Sequence, residues 1–351
     1  MKAAINNTIE QMIVKNTGLE TTVEISNLEI NDDGFNNDIP MFHLNFFNGT
    51  ENFSKPVVLK KFSHNMKFNK ELSILKSLSI NKYINIPNFY FEDKENGLLL
   101  MEQIEGVTLD KYFMASANNR VTAFEIFGST LAHIHSIDIH GLSDGDFKDV
   151  FPINHYIENL RNRIVEFEDP IYIKILANIE KSFEDVKFTK VLNHGDYHFQ
   201  NTIITNDNTL YILDWEKAFL GDHRFDIANA LISGYSWFGI DFKKPMLNAY
   251  QNSYNKKIEH LQCFEALLCF DSFTRAASLI YGADDSHIRD RTFEWLKRRY
   301  ELFVKHTGER IEKAEEYLFS KGLTLKMKYM HQMMNLDNMV KVELLMRLPR
   351  V

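Results

Sequence analysis

The stretch HGDYHFQN, residues 194–201, constrains this chain more than any other feature of its sequence. Short β-type runs, TKVLN before it and TLYILDW after it, frame the octapeptide as a loop, and the second run ends at Asp214. The loop is therefore expected to bring Asp196 and Asn201 close to the carboxylate of Asp214. Carboxylate and amide oxygens are ligands that suit Mg²⁺, so the pattern predicts a divalent-cation site beside a catalytic carboxylate.

The spacing within the loop is typical of phosphoryl transfer. An Asp and an Asn five positions apart occur in kinase catalytic loops, where the Asp orients the acceptor hydroxyl and the Asn binds a metal ion. We accordingly predict Asp196 as the catalytic base or acceptor-positioning group, with Asn201 and Asp214 as metal ligands. Each residue alone could instead form a local turn or strand-end cap, but their ordered occurrence favours the functional interpretation.

A cation for the phosphates is expected upstream of the loop. Lys60 ends the apolar run VVLK, and Glu71 lies on a helix predicted for about 67–80. Strand alternation places Lys60 on the face of Val58 and the neighbouring Lys61 on the opposite face, so one of the two points inward. The pattern favours Lys60, with Glu71 as its ion-pair partner; a solvated Glu71 is the alternative.

The segment GLLLMEQIEG, residues 97–106, predicts a strand that continues as extended backbone. Such a hinge exposes backbone groups that can pair with a purine base. We predict that Met101 lines the back of a purine pocket, and that the Glu102 carbonyl and the Ile104 amide face the edge of the base.

The pattern of apolar residues changes once along the chain. Residues 20–62 alternate β-type runs with Asn-, Asp-, Gly- and Pro-rich turns, and one helix and two strands follow. Past Gly106 the apolar spacing becomes three and four, as in helices. The predicted fold class is α+β, with a small antiparallel sheet and one main helix in residues 1–104. A large, mainly helical lobe follows in residues 105–351, where helices from about 235 are expected to bind the substrate.

Bulk properties exclude several classes of partner and location. A formal net charge of -8 over 351 residues gives no electrostatic footprint for nucleic acid or an anionic membrane. No apolar stretch approaches eighteen residues and the N-terminus lacks the apolar core of a signal peptide, so we predict a cytoplasmic protein. Cys263 and Cys269 are predicted to be buried core thiols on a helix.

The ordered motifs resemble the aminoglycoside phosphotransferase and choline kinase-like family. The resemblance spans about residues 20–235 and rests on VVLK, Glu71, LLLMEQIEG, LAHIHSID, HGDYHFQN, ILDWE and LGDHRFDIA. It implies a bilobal, protein-kinase-like fold that binds ATP, with GTP as the alternative, and Mg²⁺ between the lobes. The implied acceptor is a hydroxyl of a small polar molecule, such as an aminoglycoside, an amino alcohol like choline, or a sugar. It also implies that His194 and His198 support the loop and that Asp226 is structural.

Two departures from the family pattern leave alternatives open. The segment NDDGFNND, where a phosphate-covering loop is expected, has one glycine, so a nucleotide-binding pseudokinase with a regulatory or scaffold role is the alternative function. No Ala-Pro-Glu segment follows Asp214, which argues against a protein substrate.

Asp144, Asp146 and Asp149 could attract an amine or form a solvated loop, and residues 325–351 predict a packed terminal helix. The sequence does not predict which molecule is the acceptor, and it does not predict the oligomeric state.

Overall fold

The computed structural model describes residues 2–31, 39–47, 49–50, 52–79, 81, 83–141, 152–240, 242–275 and 290–320. Contacts divide these residues into two compact units. The first comprises the described parts of Met1–His155, Lys187–Tyr235 and Ile240–Leu261, and the second those of Tyr156–Val186, Ser236–Gly239 and Gln262–Val351. The segment NDDGFNND beyond Asn31, the acidic segment with Asp144, Asp146 and Asp149, and residues 325–351, where a terminal helix is predicted, lie outside the described residues.

A five-stranded antiparallel sheet forms the N-terminal part of the first unit. Its strands are β1 (Glu24–Asn31), β2 (Ile39–Phe47), β3 (Asn52–Lys61), β4 (Phe89–Asp93) and β5 (Leu98–Glu102), in the spatial order β1-β2-β3-β5-β4. The predicted meander and the two later strands are therefore confirmed. Between β3 and β4 lies helix α2 (Asn65–Leu78), which buries Phe68, Leu72 and Leu75 along one side.

A helix at the start of the chain, α1 (Lys2–Thr17), was not predicted from the sequence. Its buried side chains recur at helical spacing, namely Ile5, Ile9, Met12 and Ile13. They form a single core with sheet residues that include Leu44, Val57, Leu59, Leu98 and Leu100. One face of the sheet is therefore covered by α1, and the N-terminal part contains two helices where one main helix was expected.

Short strands and helices complete the two units. The remaining elements are β6 (Val107–Thr108), α3 (Leu109–Ala115), α4 (Ala117–His135), α5 (Pro152–Ile164), α6 (Pro170–Lys181), β7 (Val191–Asn193), β8 (Thr202–Ile204), β9 (Leu210–Ile212), β10 (Phe219–Gly221), α7 (His223–Phe238), α8 (Lys243–Tyr254), α9 (Leu261–Arg275) and α10 (Asp290–Thr307). Residues 312–320 are also helical. Strands β6, β8 and β9 form one small sheet and β7 pairs with β10 in another.

The two small sheets fix the position of the octapeptide. Asn193 at the end of β7 pairs with Phe219 of β10, and Thr202 at the start of β8 pairs with Ile212 of β9. Both ends of residues 194–201 are therefore held next to residues 213–218. Because Trp215 is fully buried at this point, the turn between β9 and β10 is anchored in the core.

The second unit has an aromatic core. Tyr172 of α6 stacks on Phe270 of α9, whose ring stacks in turn on Phe303 of α10, with centroid distances of 6.1 and 5.6 Å. Cys263 and Cys269 are buried and free on α9, which confirms their predicted role as core thiols. Among the described residues, no helix is long and apolar enough to cross a membrane.

Candidate active site

The side chain of Lys60 connects three elements of the first unit. Its Nζ lies 2.5 Å from Glu71 Oε2 on α2 and 2.7 Å from Oδ1 of Asp214, which follows β9. Burial alone would lower the pKa of this ammonium, but the two carboxylates outweigh burial and raise its pKa above the usual value. Lys60 is therefore charged and held at the end of β3.

The choice between Lys60 and Lys61 follows from the covering of the sheet. Val57 and Leu59, which share the strand face of Lys61, belong to the core formed with α1. Lys60 lies on the opposite face, where α2 supplies its partner. Strand alternation places the two lysines on opposite faces of the sheet. Because α1 packs on the face of Lys61, Lys60 is the one that reaches Glu71.

Glu71 is buried at the centre of α2. Its side chain is only 2% exposed, and burial raises the pKa of the carboxyl to about 7 against the opposing pull of Lys60. The Asp214 carboxylate nearby adds to the increase. The predicted alternative of a solvated Glu71 is thus wrong, because almost none of the side chain reaches water.

Asp214 occupies a tight turn directly after β9. Its backbone is left-handed, with φ of 65°, which is uncommon for a residue that carries a Cβ. Burial would raise the pKa of its carboxyl, but Lys60 outweighs burial and the pKa falls below its usual value. The carboxylate is therefore ionised and about one-third exposed, as a metal ligand requires.

Asn201 lies beside Asp214 because β8 and β9 pair. The Leu213 backbone N–H donates to the Asn201 carbonyl at 2.9 Å, one residue before Asp214. The Asn201 side-chain Nδ2 donates to the Asp196 carbonyl at 3.0 Å, which leaves the amide oxygen as the group able to bind a cation. One carboxylate and one amide oxygen are a suitable donor set for Mg²⁺, which typically takes its other ligands from water and substrate phosphates. The described residues contain no cluster of three or more His, Cys, Asp or Glu that could hold a metal without such ligands.

His194 organises the loop that carries Asp196. Its Nδ1 accepts from the Asp196 backbone N–H at 3.2 Å, and its Nε2 donates to the Leu213 carbonyl at 2.8 Å. Burial lowers the pKa of the imidazole, so the ring is neutral and the two contacts assign its proton to Nε2. His194 thus connects the loop to the segment that ends in Asp214.

Asp226, in the first turn of α7, anchors the same loop from below. One carboxylate oxygen accepts from the His194 N–H at 2.6 Å, and the other accepts from the Gly195 N–H at 2.9 Å. Its side chain is fully buried, and His135 and Tyr250 extend the polar contacts, since His135 Nδ1 lies 2.8 Å from the Tyr250 hydroxyl. The family resemblance implies a structural role for Asp226, but sequence reasoning missed its bonds to the loop amides.

Within the predicted hinge, the side chain of Met101 lies on the same face of the sheet as Lys60. Met101 pairs with Val58 across β3 and β5, two residues along from the pair of Lys60 with Leu99. Directly opposed residues of antiparallel strands share a face, so the buried Met101 side chain lies on the same side as Lys60.

The backbone continues past β5 as an extended segment. Glu102 Oε2 accepts from the backbone and side chain of Asn88, and the Gln103 N–H donates to the Pro56 carbonyl at 3.2 Å. The Ile104 N–H has no hydrogen-bond partner within the described part of the chain. A role for Glu102 and Ile104 in base pairing stays a prediction.

Two charged contacts at the site were missed by sequence reasoning. Lys217 Nζ lies 2.6 Å from Asp196 Oδ2, and Lys67 Nζ of α2 lies 2.6 Å from Glu216 Oε1. Both acidic partners belong to quoted motifs, but the lysines carry no motif of their own. Their positions depend on how the turn after Asp214 packs, which residue spacing does not encode.

Comparison with known proteins assigns the chain to a family. Residues 43–261 match the model of the phosphotransferase enzyme family, and the chain belongs to that family. A protein LicA homolog from Metamycoplasma hominis is 26% identical over 174 residues, which cover 49% of this chain. The match spans 63% of that relative's length.

Solved structures share the fold over most of the chain. A candidate aminoglycoside phosphotransferase from Ralstonia eutropha JMP134 superposes with a TM-score of 0.64 at 17% identity, covering 90% of this chain and 98% of the other. Choline kinase LicA from Streptococcus pneumoniae gives 0.56 at 18% identity, with coverages of 86% and 99%. ADP-bound aminoglycoside phosphotransferase APH(2'')-Ib gives 0.56 at 19% identity, with coverages of 84% and 98%. The predicted protein-kinase-like fold and the family resemblance are therefore confirmed.

Proposed function

We propose that the chain is an ATP-dependent phosphotransferase whose acceptor is a hydroxyl group of a small polar molecule. The observation that carries this proposal is the bridge of Lys60 between Glu71 and Asp214, with Asn201 and the Asp196 loop held beside Asp214. The bridge gathers a cation for phosphates and an ionised carboxylate for a metal at one place. Family membership supports the same reaction type.

Each candidate site residue has a distinct role in this proposal. Asp196 accepts a hydrogen bond from the acceptor hydroxyl and holds its oxygen in line with the terminal phosphoryl group, while Lys60 offsets the charge of the nucleotide phosphates. Asn201 and Asp214 would hold Mg²⁺, which would neutralise charge on the phosphates when bound. Met101, Glu102 and Ile104 receive the purine of ATP, with GTP as the alternative.

The two parts of the chain divide the work under this proposal. Residues 1–104 bind the nucleotide, and residues 105–351 carry the catalytic loop and, from about 235, the helices that choose the acceptor. The structurally similar proteins suggest two classes of acceptor, because they include a choline kinase and an aminoglycoside phosphotransferase. An amino alcohol, an aminoglycoside and a sugar are accordingly the acceptors to test first.

The direct test is phosphate transfer from ATP to a panel of choline, ethanolamine, aminoglycosides and sugars, followed by mass spectrometry of the product. The proposal expects a singly phosphorylated product with at least one acceptor, and its loss when EDTA removes Mg²⁺. A thermal-shift titration accompanies the panel. Mg²⁺-dependent stabilisation by ATP without transfer to any acceptor would instead support the pseudokinase alternative.

A further inference from the structure

The ammonium of Lys217 lies against the carboxylate proposed to receive the acceptor. Lys217 Nζ is 2.6 Å from Asp196 Oδ2, and Asp196 is otherwise approached by His198, whose Nε2 lies 3.8 Å from Oδ1. The second distance is too long for a hydrogen bond. Among the residues that the structure describes, Oδ2 is therefore occupied, whereas Oδ1 accepts no hydrogen bond and is available to another donor.

Backbone packing fixes Lys217 at this position. The residue precedes β10, whose Phe219 pairs with Asn193 immediately before the catalytic loop. Gly195 has φ of +80°, and a Cβ at that position would lie 2.1 Å from the Lys217 carbonyl oxygen. Only a glycine allows so close an approach, so residue 195 of the loop packs directly against the backbone of Lys217.

His198 does not duplicate the contact that Lys217 makes with Asp196. Its ring is largely buried, and its Nδ1 has no hydrogen-bond partner within the described residues. Its Nε2 is too far from Asp196 Oδ1 to form a hydrogen bond, whereas Lys217 Nζ contacts Oδ2 directly. The positive charge in contact with Asp196 is that of Lys217.

We propose that Lys217 is a positioning residue for phosphoryl transfer: by binding Asp196 Oδ2 it presents Oδ1 to the acceptor hydroxyl. The inference rests on the proposed function, since it assigns the working oxygen of the proposed acceptor-positioning group. The Lys217 side chain is 51% exposed, and ion pairs at such exposure contribute little to folding. Its removal is therefore expected to affect turnover and not stability.

The first experiment compares Lys217→Met and Lys217→Arg with the wild type. With Mg·ATP and an acceptor identified in the panel, or water if ATP hydrolysis is the measurable reaction, we expect Lys217→Met to lower kcat by about 10- to 100-fold. KM for ATP and the melting temperature stay unchanged, and Lys217→Arg recovers part of the rate. Lys257→Met, which removes an exposed lysine beyond α8, is the matched control. A Lys217→Met enzyme with wild-type kcat would overturn the proposal.

A double-mutant cycle shows whether Lys217 acts through Asp196. In an Asp196→Asn background, Lys217→Met should change the residual kcat by less than about twofold, because the carboxylate it orients is gone. An equal loss in both backgrounds would mean that Lys217 acts independently of Asp196, contrary to the proposal.

The contact is also measurable without turnover. We expect limited acylation with acetic anhydride to modify Lys217 several-fold faster in Asp196→Asn than in the wild type, relative to Lys257, because the reagent attacks the neutral amine and the ion pair with Asp196 favours the protonated form and shields the nitrogen. Unchanged labelling would reject the contact. If labelling differs between the two proteins but the wild type transfers phosphate to no acceptor, the proposed function is rejected and the contact between Lys217 and Asp196 is not.

Discussion

Lys60 is the residue whose surroundings are most completely explained by local physical chemistry. Its ammonium lies between the carboxylates of Glu71 and Asp214, on the sheet face that α1 leaves uncovered. Removing it would leave Glu71 buried without its counter-charge, a change whose cost is largest where water is excluded. At the proposed site the same charge would face the nucleotide phosphates.

At the residue scale, the two adjacent lysines provide a matched comparison. We expect Lys60→Met to lower kcat/KM for ATP by about 100-fold or more, because the buried cation proposed to face the phosphates is lost. Lys61→Met, which alters the other face of the same strand, should change it by less than about threefold. Steady-state kinetics of the two variants provide the check, and a larger loss in Lys61→Met would contradict the assignment.

These residues also show what the sequence could and could not predict. Strand alternation, with its fixed period of two, placed Lys60 and Lys61 on opposite faces, and the local order of Asp196, Asn201 and Asp214 predicted that they lie close together. The position of Lys217 was not predictable, since its contact depends on the pairing of β10 with β7, two three-residue strands separated by residues 194–218. Register of that kind is set by tertiary packing and not by composition.

At the scale of elements, α2 is held against the turn that follows Asp214. Lys67 Nζ meets Glu216 Oε1 at 2.6 Å, four residues before the Glu71 that pairs with Lys60. The two contacts lie about one helical turn apart on the same side of α2. The Lys67 contact therefore helps to fix the helix in the position where Glu71 reaches Lys60.

We expect Glu216→Gln to loosen α2 without unfolding the protein. Hydrogen–deuterium exchange should accelerate several-fold for the α2 amides, and ATP affinity should weaken a few-fold because Glu71 is less well placed. The matched control is Glu92→Gln, which removes the 3.0 Å partner of Lys76 on the same helix. Equal effects of the two substitutions would show that the Glu216 contact has no special role.

Prediction of the elements failed where stability comes from distant packing. The strands and α2 were recognisable because turn residues bound them, whereas α1 is a polar-rich helix stabilised by burying Ile9 and Met12 against the sheet. Most helical stability in proteins arises from such packing and not from intrinsic propensity. Its spacing of buried residues, Ile5, Ile9, Met12 and Ile13, is the signal that could have revealed it.

At the scale of the whole molecule, buried histidines connect folding to pH. Burial lowers the pKa of His194 and His198, and lowers that of His223 to about 4 despite the adjacent Asp222. A histidine that resists protonation when folded stabilises the protein above its unfolded pKa of about 6.5. That stability is lost as the pH falls toward the folded pKa. Glu71, whose raised pKa is about 7, has the opposite dependence, because its contribution is lost as the pH rises.

Three histidines with lowered pKa values oppose one carboxyl with a raised pKa, so we expect the free energy of unfolding to decrease between pH 7 and pH 5, as measured by urea titration. His223→Gln should reduce that decrease by on the order of 1–2 kcal/mol, because the substituted side chain does not titrate. His140→Gln, a change at an exposed histidine, serves as the control and should leave the decrease as it is. An unchanged decrease in His223→Gln would contradict the assignment of His223 as a neutral buried group.

The kcat of Asp196→Ala measures whether the Asp196 loop is a phosphoryl-transfer site. With Mg·ATP and a productive acceptor, we expect kcat to fall by on the order of 10²- to 10⁴-fold while the affinity for ATP stays close to that of the wild type. Wild-type turnover in this variant would contradict the account.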